Sequence, residues 1–462
     1  MPSDKTEISS VDIASQTPDK QRLYIETYGC QMNVSDSEVV AAILQQQKYY
    51  LVRESSMADV ILINTCSIRE NAEQKIRHRL AALKKYKKNS NGPVIGIIGC
   101  MAERLKEKIF EEERIVDLIA GPDSYRDLPR LIHEAERGEK TANTILSFEE
   151  TYADISPVRL DENGVCAFIS IMRGCNNLCA YCVVPYTRGR ERSRDPQSIL
   201  REAEEVYSIG YREITLLGQN VNSYSWIDDK NDVDIDFPGL LALLAGKFPD
   251  VRIRFSTSHP KDMSEKLIKT ISSYHNICKG IHLPLQSGST EVLNRMKRKY
   301  TADEYMDRIK AIRKYIPEAA VSTDIIAGFC GETEDDHQQT LDLMKKAEFD
   351  FAYMFKYSER PGTLAARKYT DDVPDDVKTK RLNEIITLQN ILSLHSKKKD
   401  PGKIFEVLVE GPSKKSGENY MGRTSQNKVV VFPAEDSKPG QYVHVKIEKC
   451  TSATLIGRIV KK

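Results

Sequence analysis

The run MRGCNNLCAYC places Cys175, Cys179 and Cys182 within eight residues, spaced C-x3-C-x2-C. Thiols clustered this closely are open to three readings. They can be ordinary buried or surface thiols. They can belong to a zinc site, which needs a fourth Cys or His; the motif holds no His, so that ligand would come from elsewhere in the chain. Or they can hold an iron–sulfur cluster. A [4Fe–4S] cube normally takes four cysteines, so three leave one iron open to bind and activate a small molecule. On that reading the missing fourth cysteine is the functional feature.

A second set is dispersed. Cys30, Cys66 and Cys100 each close a short apolar run, RLYIETYGC, DVILINTCSI and PVIGIIGCMA, and more than thirty residues separate neighbours. Taken singly, each is an ordinary buried thiol. Taken together they point to a shared site, because the carboxyl ends of parallel strands line one crevice in an open α/β sheet. The other four cysteines, Cys166, Cys278, Cys330 and Cys450, lack such company and read as structural.

These residues need elements to position them, and the pattern supplies three regions behind a disordered tail over residues 1–20. Across 21–150, apolar runs alternate with helix-like stretches, which predicts a Rossmann-like parallel sheet. Across 160–395 the alternation recurs six times, through VCAFISIM, EITLLGQN, RIRFSTSH, GIHLPLQS, AVSTDIIAGF and FDFAYMFKYS. Six βα units predict an incomplete (β/α)6 barrel of the TIM type, with chemistry at the carboxyl ends of its strands. The C-x3-C-x2-C follows the first of them. After the basic stretch SLHSKKKDPG, residues 398–462 read as short alternating strands, a small antiparallel β-barrel. The fold class is therefore α/β with an appended β module.

Composition narrows the setting. At 462 residues the chain predicts two to four domains. No apolar run approaches the roughly 18 residues of a membrane span. The first twenty residues lack the apolar stretch of a signal peptide and carry Asp4, Glu7, Asp12 and Asp19 but no Arg, unlike a transit peptide. A reducing cytoplasm is expected, where clustered cysteines bind metals more often than they pair. Net charge is +1, yet residues 397–462 hold 14 basic and 7 acidic side chains. A basic module on a mildly acidic body suggests a polyanionic partner.

With Tyr181 before its last cysteine, the C-x3-C-x2-C after the first strand of six βα units resembles the radical S-adenosylmethionine superfamily. The resemblance implies that the open iron chelates S-adenosylmethionine and that an electron from the cluster cleaves it to methionine and a 5′-deoxyadenosyl radical. The run TDIIAGFCGET (323–333), which includes Asp324, is similar to the fifth-strand element that flanks the adenine of that cofactor. Gln219 and Asn220 end the second strand, where relatives bind the methionine amino group. Ser256 and Gln286 end the third and fourth strands and point to the same mouth. For each of these the alternative is an ordinary strand-end polar group.

The N-terminal trio, the radical element and the small barrel together resemble the methylthiotransferases over essentially the whole chain. The runs RGCNNLCAYCVVPYTRGRERSR and GRTSQNKVVVF are most similar to the branch acting on N6-dimethylallyladenosine, and the small barrel resembles a TRAM RNA-binding domain. The resemblance implies two [4Fe–4S] clusters, the second held by Cys30, Cys66 and Cys100 and carrying the sulfur. One S-adenosylmethionine would supply the methyl group and another the radical that takes hydrogen from C2 of adenosine 37 in tRNA. That C2–H has no useful acidity, so acid–base catalysis offers no route and the hard step belongs to cofactors. An electron donor, a sulfur donor and a monomeric enzyme complete the expectation.

For RNA contact, Arg188, Arg190, Arg192 and Arg194 alternate in TRGRERSR, so an extended chain would put them on one face. Phosphate contact and a solvated loop paired to Glu191 and Asp195 are both open. Lys414, Lys415, Arg423 and Lys428 of the terminal module would add salt-sensitive affinity, whereas the basic stretch 74–88 reads mainly as a solvated face. Adenosine 37 lies in a single-stranded loop, where bases are read individually. The alternatives are a sister methylthiotransferase, acting on threonylcarbamoyladenosine or a ribosomal-protein aspartate, and a non-catalytic iron–sulfur RNA-binding protein.

Overall fold

A computed structural model describes residues 20–66, 70–87, 92–161, 164–228, 233–413 and 416–461. Residues 1–19 of the expected tail, and Lys414 and Lys415, lie outside the described residues. The chain divides into two compact units. The first comprises residues up to Glu162 with Phe168–Asn176 and Val183–Glu202; the second comprises Asn163–Ala167, Asn177–Cys182 and Ala203–Lys462. The division passes through the C-x3-C-x2-C, leaving Cys175 in the first unit and Cys179 and Cys182 in the second.

The first unit is built on a six-stranded parallel sheet. Its order is Tyr49–Leu51, Gln21–Thr27, Val60–Thr65, Val94–Gly99, Leu118–Ala120, Thr141–Asn143. Strands covered on both faces need unbroken apolar runs, and VILINT and VIGIIG are buried at every position. Side chains alternate between two cores. Leu23, Ile25, Val60 and Leu62 join Val40 and Leu44 of helix Gln31–Gln45 and Leu131 and Ile132 of helix Leu128–Glu136. Ile61, Ile63, Ile95 and Ile97 join Ile76, Leu80 and Leu83 of helix Glu70–Leu83.

Strand order decides where the thiols go. The strand Gln21–Thr27 has its sequence successor on one side and Val60–Thr65 on the other, which makes a topological switch point, the position where open α/β sheets bind ligands. Gln21–Thr27, Val60–Thr65 and Val94–Gly99 are consecutive neighbours, and these are the strands that lead to Cys30, Cys66 and Cys100.

In the second unit the six βα strands form two three-stranded sheets. One has the order Arg252–Phe255, Glu213–Leu217, Cys166–Ser170, the last contributing Cys166 and Ala167 to this unit; the other is Gly280–His282, Ala320–Ala327, Phe351–Lys356. Backbone hydrogen bonds from Ile253 N to Asn276 O (2.8 Å) and Cys278 N to Ile253 O (2.9 Å) tie the first sheet to the segment leading into Gly280–His282. The intervening helices start where the sequence caps them. Thr301 with Glu304, and Thr333 with Asp336, form capping boxes on helices Ala302–Tyr315 and Glu334–Ala347.

The long helix Asp375–Lys398 absorbs most of the basic stretch before the small barrel. It is tied to the α/β core by Gln389 Nε2 to Phe349 O and Ser393 Oγ to Asp350 O, both 2.9 Å. The terminal module is a closed five-stranded barrel, Ile404–Ser413, Ser416–Thr424, Val429–Pro433, Leu455–Ile459, Tyr442–Cys450. Its pairings are antiparallel except one: Val429–Pro433 and Leu455–Ile459 run parallel. Val407, Val409, Val430, Phe432, Val445, Ile447 and Leu455 fill it.

This small barrel docks at the amino-terminal ends of the βα strands. Arg252 donates to Arg423 O (2.6 Å) and to Glu406 O (2.9 Å), Gly280 N to Ser425 O (3.1 Å), and Tyr442 Oη to Arg212 O (2.9 Å). Gln219, Ser256 and Gln286 follow the opposite, carboxyl ends.

Candidate functional site

In the first unit, Cys30 occupies the N-cap of helix Gln31–Gln45 and Cys100 opens helix Cys100–Leu105. Gly29 (φ +128°) holds Cys30 close to its neighbour strand, since a Cβ there would lie 2.5 Å from Cys66 Cβ. Cys30 Sγ donates to Asn33 Oδ1 (3.3 Å), and Asn33 is fixed by Asn64 (2.9 and 2.8 Å). The Cys30 thiol is brought down to about 6, chiefly by its hydrogen bond with Cys66 and also by the charge of Arg188. The Cys100 thiol is instead pushed up by burial, against the pull of Arg188.

Arg188 is the link to a buried charge network. Its Nε lies 3.2 Å from Cys100 Sγ, and its Nη2 donates to Asp36 Oδ2 (2.7 Å). Asp36, 1% exposed, also accepts from Arg173 Nη1 (2.9 Å) and Tyr125 Oη (3.2 Å). Burial pushes the Asp36 carboxyl up, but Arg173 and Arg188 outweigh it and hold the group below its usual range.

Cys175, also in the first unit, is anchored by its N–H to Gly189 O (3.1 Å). The preceding Gly174 (φ +78°) admits no side chain, because a Cβ would sit 1.9 Å from Arg190 O. In the second unit, Cys182 N bonds Cys179 O (3.0 Å). Ala180 between them is pinned by Ala180 N to Met296 O (2.9 Å) and Ala365 N to Ala180 O (2.7 Å). Tyr181 packs edge-on against Phe329 at 6.4 Å. Arg298 reaches Cys179 Sγ at 3.3 Å.

The strand-end residues expected to bind a cofactor lie in the second unit with unsatisfied polar atoms. Gln219 Oε1 and Asn220 Oδ1 are buried without partners, while Asn220 Nδ2 donates to Asp262 (2.7 Å). Nearby in sequence, Asn222 (both amide atoms), Ser258 Oγ and His259 Nε2 are also orphaned. The loops that bear them are joined by Val221 N to Thr257 O (3.0 Å). Ser256 is half-buried, its N–H on Leu216 O (3.2 Å). Gln286 is buried with φ +71°, and Thr257 has φ +72°, left-handed conformations rare outside glycine and concentrated at functional sites. Gln286 N bonds Asp324 O (2.8 Å), and the Asp324 carboxylate lies 3.4 Å from His282 Nε2. Burial, then the charges of Arg298, Lys261 and Lys299, bring His259 down to about 2, so it is neutral.

Among the described residues no group of three or more His, Cys, Asp or Glu is spaced to hold a single metal ion. Thiolates on a cube bind different irons and stand further apart than ligands of one ion. The donor sets are thiols only, a guanidinium lies on one sulfur of each set, and the barrel mouth is rich in orphaned polar atoms. Those residues fit thiolate-held iron–sulfur clusters and a polar cofactor.

The arginines of TRGRERSR do not share one face. Residues 184–187 are helical, and only Arg192–Ser193 are extended, paired with Met172–Arg173. Arg188 is bound to Asp36, Arg192 to Asp123 (3.0 Å), and Arg194 to Glu202 and Ser198. Two of these carboxylates, Asp36 and Asp123, are remote in sequence from the arginines they pair with. Arg190 is exposed, its guanidinium 5.9 Å from the ring centre of Phe148, itself 75% exposed. In the terminal module Arg423 pairs with Glu410 (3.0 Å) and Lys428 with the buried Asp400 (2.6 Å). Sequence reasoning missed Asp36, Arg173, Asn222, His259 and Arg298; none has a spacing signal, and Arg298 sits inside an ordinary-looking Lys-Arg-Lys triplet.

Family models match three segments: the uncharacterized protein family UPF0004 at residues 22–121, the Radical SAM superfamily at 169–344 and the TRAM domain at 398–460. Fold, thiol sets and these matches define a radical S-adenosylmethionine enzyme with an α/β N-terminal domain and a TRAM barrel. Among solved structures, a radical S-adenosylmethionine methyltransferase from Kitasatospora setae shares the fold with TM-score 0.55, at 13% identity, covering 75% of this chain and 74% of that one. A cobalamin-dependent S-adenosylmethionine radical enzyme gives TM-score 0.52 at 12% identity, covering 80% of this chain and 56% of that one. Relatives named tRNA-2-methylthio-N(6)-dimethylallyladenosine synthase match at much higher identity. That of Amoebophilus asiaticus is 56% identical over 97% of this chain and 94% of the relative. That of Porphyromonas gingivalis strain W83 is 53% identical over 97% of both. The chain belongs to the tRNA-2-methylthio-N(6)-dimethylallyladenosine synthase family.

Proposed function

We propose that this protein attaches a methylthio group to C2 of N6-dimethylallyladenosine at position 37 of tRNA, with residues 21–150, 160–395 and 398–462 as its three functional domains. The observation that carries the reading is the pairing of a C-x3-C-x2-C after the first βα strand with three further thiols that follow neighbouring strands of a parallel sheet. When bound, two [4Fe–4S] clusters and S-adenosylmethionine supply the one-electron chemistry for an unactivated C–H and the sulfur and methyl groups delivered there.

The chain's own residues do the rest. Cys175, Cys179 and Cys182 hold one cluster, and Cys30, Cys66 and Cys100 the other. Arg188 and Arg298 each donate to one sulfur, fixing its orientation. Gln219 and Asn220, each with a buried amide oxygen that has no partner, orient the S-adenosylmethionine by hydrogen bonds, together with Gln286, Ser256 and Asp324 at the neighbouring strand ends. His259, held neutral, adds no charge to that mouth. The TRAM barrel and the exposed Arg190 bind the RNA backbone. An external one-electron donor and a sulfur donor are required. The enzyme acts as a monomer in the cytoplasm, and no helix among the described residues is long and apolar enough to cross a membrane.

The test combines metal analysis with nucleoside mass spectrometry after anaerobic reconstitution. About eight irons per chain, falling to about four in the Cys175/Cys179/Cys182→Ala protein, together with conversion of dimethylallyladenosine in tRNA to its methylthio derivative, is the expected result. About four irons falling to none would remove the second cluster and with it the sulfur-insertion reading.

A further inference from the structure

We propose that Arg298 sets the reduction potential of the cluster held through Cys179, by placing an uncompensated buried positive charge on that cysteine's sulfur. This inference rests on the cluster assignment above and goes beyond it by naming what tunes the cluster.

The observation is one of charge accounting inside the fold. Eight arginines are buried among the described residues. Seven face a carboxylate: Arg173 and Arg188 face Asp36, Arg192 faces Asp123, Arg194 faces Glu202, Arg252 faces Glu406, Arg254 faces Glu213 and Arg381 faces Glu332. Arg298, 5% exposed, is the eighth, and among the described residues no carboxylate pairs with it. Its donors are nonetheless used. Nε goes to Tyr300 Oη (3.0 Å), Nη2 to Pro284 O (3.2 Å), and Nη1 to Cys179 Sγ (3.3 Å), with Tyr181 Oη at 3.5 Å. Tyr300 Oη is itself fixed on Leu285 O (2.8 Å) and Pro284 O (3.1 Å).

Neutral oxygens satisfy the hydrogen bonds of a guanidinium without balancing its charge, and a buried charge left unbalanced is strongly unfavourable. The anion within reach is the sulfur of Cys179. A cube on three thiolates is already negative when oxidised and more so after accepting one electron. A fixed cation on one ligand sulfur therefore stabilises the reduced state more than the oxidised one and raises the potential. The electron comes from an external low-potential one-electron donor. Arg298 gives up no proton, because a guanidinium stays charged. The local backbone is shaped for this placement: Lys297 and Lys299 on either side adopt φ of +56° and +57°, and both side chains are exposed while Arg298 turns inward.

The experiment uses the full chain carrying Cys30→Ala, Cys66→Ala and Cys100→Ala, so that one cluster remains, with potentials read by EPR-monitored titration. Against this background Arg298→Gln should retain iron and shift the reduction equilibrium at least tenfold towards the oxidised state, about 59 mV more negative for one electron. The offset should not change between mildly acidic and mildly alkaline buffer. Arg298→Lys, which keeps the charge, should recover most of the shift. An Arg298→Gln potential within threefold of the parent overturns the proposal, as does an Arg298→Lys shift as large as that of Gln. Loss of the cluster from both variants in a natively folded protein also overturns it, in favour of a purely structural contact. If the parent with Arg298 intact binds no cluster, the assignment of Cys175, Cys179 and Cys182 fails instead.

Discussion

Replacing Asp36 by Asn should destabilise the first unit far more than a single exposed ion pair would. The carboxylate takes one hydrogen bond from Arg173 (2.9 Å), one from Arg188 (2.7 Å) and one from Tyr125 (3.2 Å) while 1% exposed. An amide of the same shape keeps one acceptor oxygen and removes the charge. Arg188, 3% exposed, is then left without a carboxylate, and Arg173, 2% exposed, keeps only Asp123 at 3.6 Å. Removing one partner of a buried pair costs about 3–5 kcal/mol, because the other charge stays buried. The pair Arg22–Asp59 sets the scale at the surface: its side chains are 45% and 37% exposed, and such pairs are worth at most about 1 kcal/mol. The sole tryptophan, Trp226, lies in the second unit and does not report on the first. The assay is therefore amide hydrogen exchange, read in strands Val60–Thr65 and Val94–Gly99 of the cluster-free protein at neutral pH. Asp36→Asn should lower their opening free energy by about 3–5 kcal/mol and leave the second unit unchanged. A loss no larger than that from Asp59→Asn would refute the reasoning.

Three further outcomes follow from single features. His259 has a folded value near 2 against an ordinary 6.5. Its contribution to stability is therefore complete above about pH 6.5 and is lost as pH falls below it, by about 1.4 kcal/mol per pH unit; Trp226-monitored urea unfolding of His259→Gln should lack that component. Gly174→Ala should cost about four irons per chain, because its Cβ would meet Arg190 O, whereas Gly138→Ala, at φ +87° but with nothing within 4 Å, should cost none. Arg190→Gln should weaken binding of an anticodon stem-loop and lower the slope of log K against log salt by about one; an unchanged slope would remove Arg190 from the RNA surface.

The alternation of apolar runs with helix-like stretches was enough to read two α/β regions and a β module, because burial on both faces forces unbroken apolar strands. The thiols at the ends of those runs were equally legible. Sheet order was not, since nothing local in RLYIETYGC or DVILINTCSI says that their strands are neighbours. The arginines show the limit most clearly. Alternate spacing at 188–194 suggested one extended face, yet Asp36, Asp123 and Glu202, remote in sequence for two of the three pairs, draw Arg188, Arg192 and Arg194 inward. The same holds for Lys428, which reads as a surface charge and instead meets the buried Asp400. Arg298 is invisible in sequence because its significance is a missing partner, and an absence has no spacing.

The two thiol sets also differ in a way that has opposite electrical consequences. Arg188 brings a hydrogen bond to Cys100 Sγ, but Asp36 lies 2.7 Å from its other end, so the pair adds little net charge at that sulfur. Arg298 brings the hydrogen bond and the charge together. Removing the carboxylate should therefore make Arg188 resemble Arg298. In full chain carrying Cys175→Ala, Cys179→Ala and Cys182→Ala, Asp36→Asn samples that retain iron should show the remaining cluster easier to reduce, by about 59 mV or more for one electron, a tenfold change. The sign is the discriminating feature. Asp36→Asn moves its cluster to more positive potential while Arg298→Gln moves the other to more negative, although both substitutions remove a charge from a buried network. A negative shift in Asp36→Asn would mean that hydrogen-bond geometry at the sulfur, rather than net charge beside it, governs these potentials.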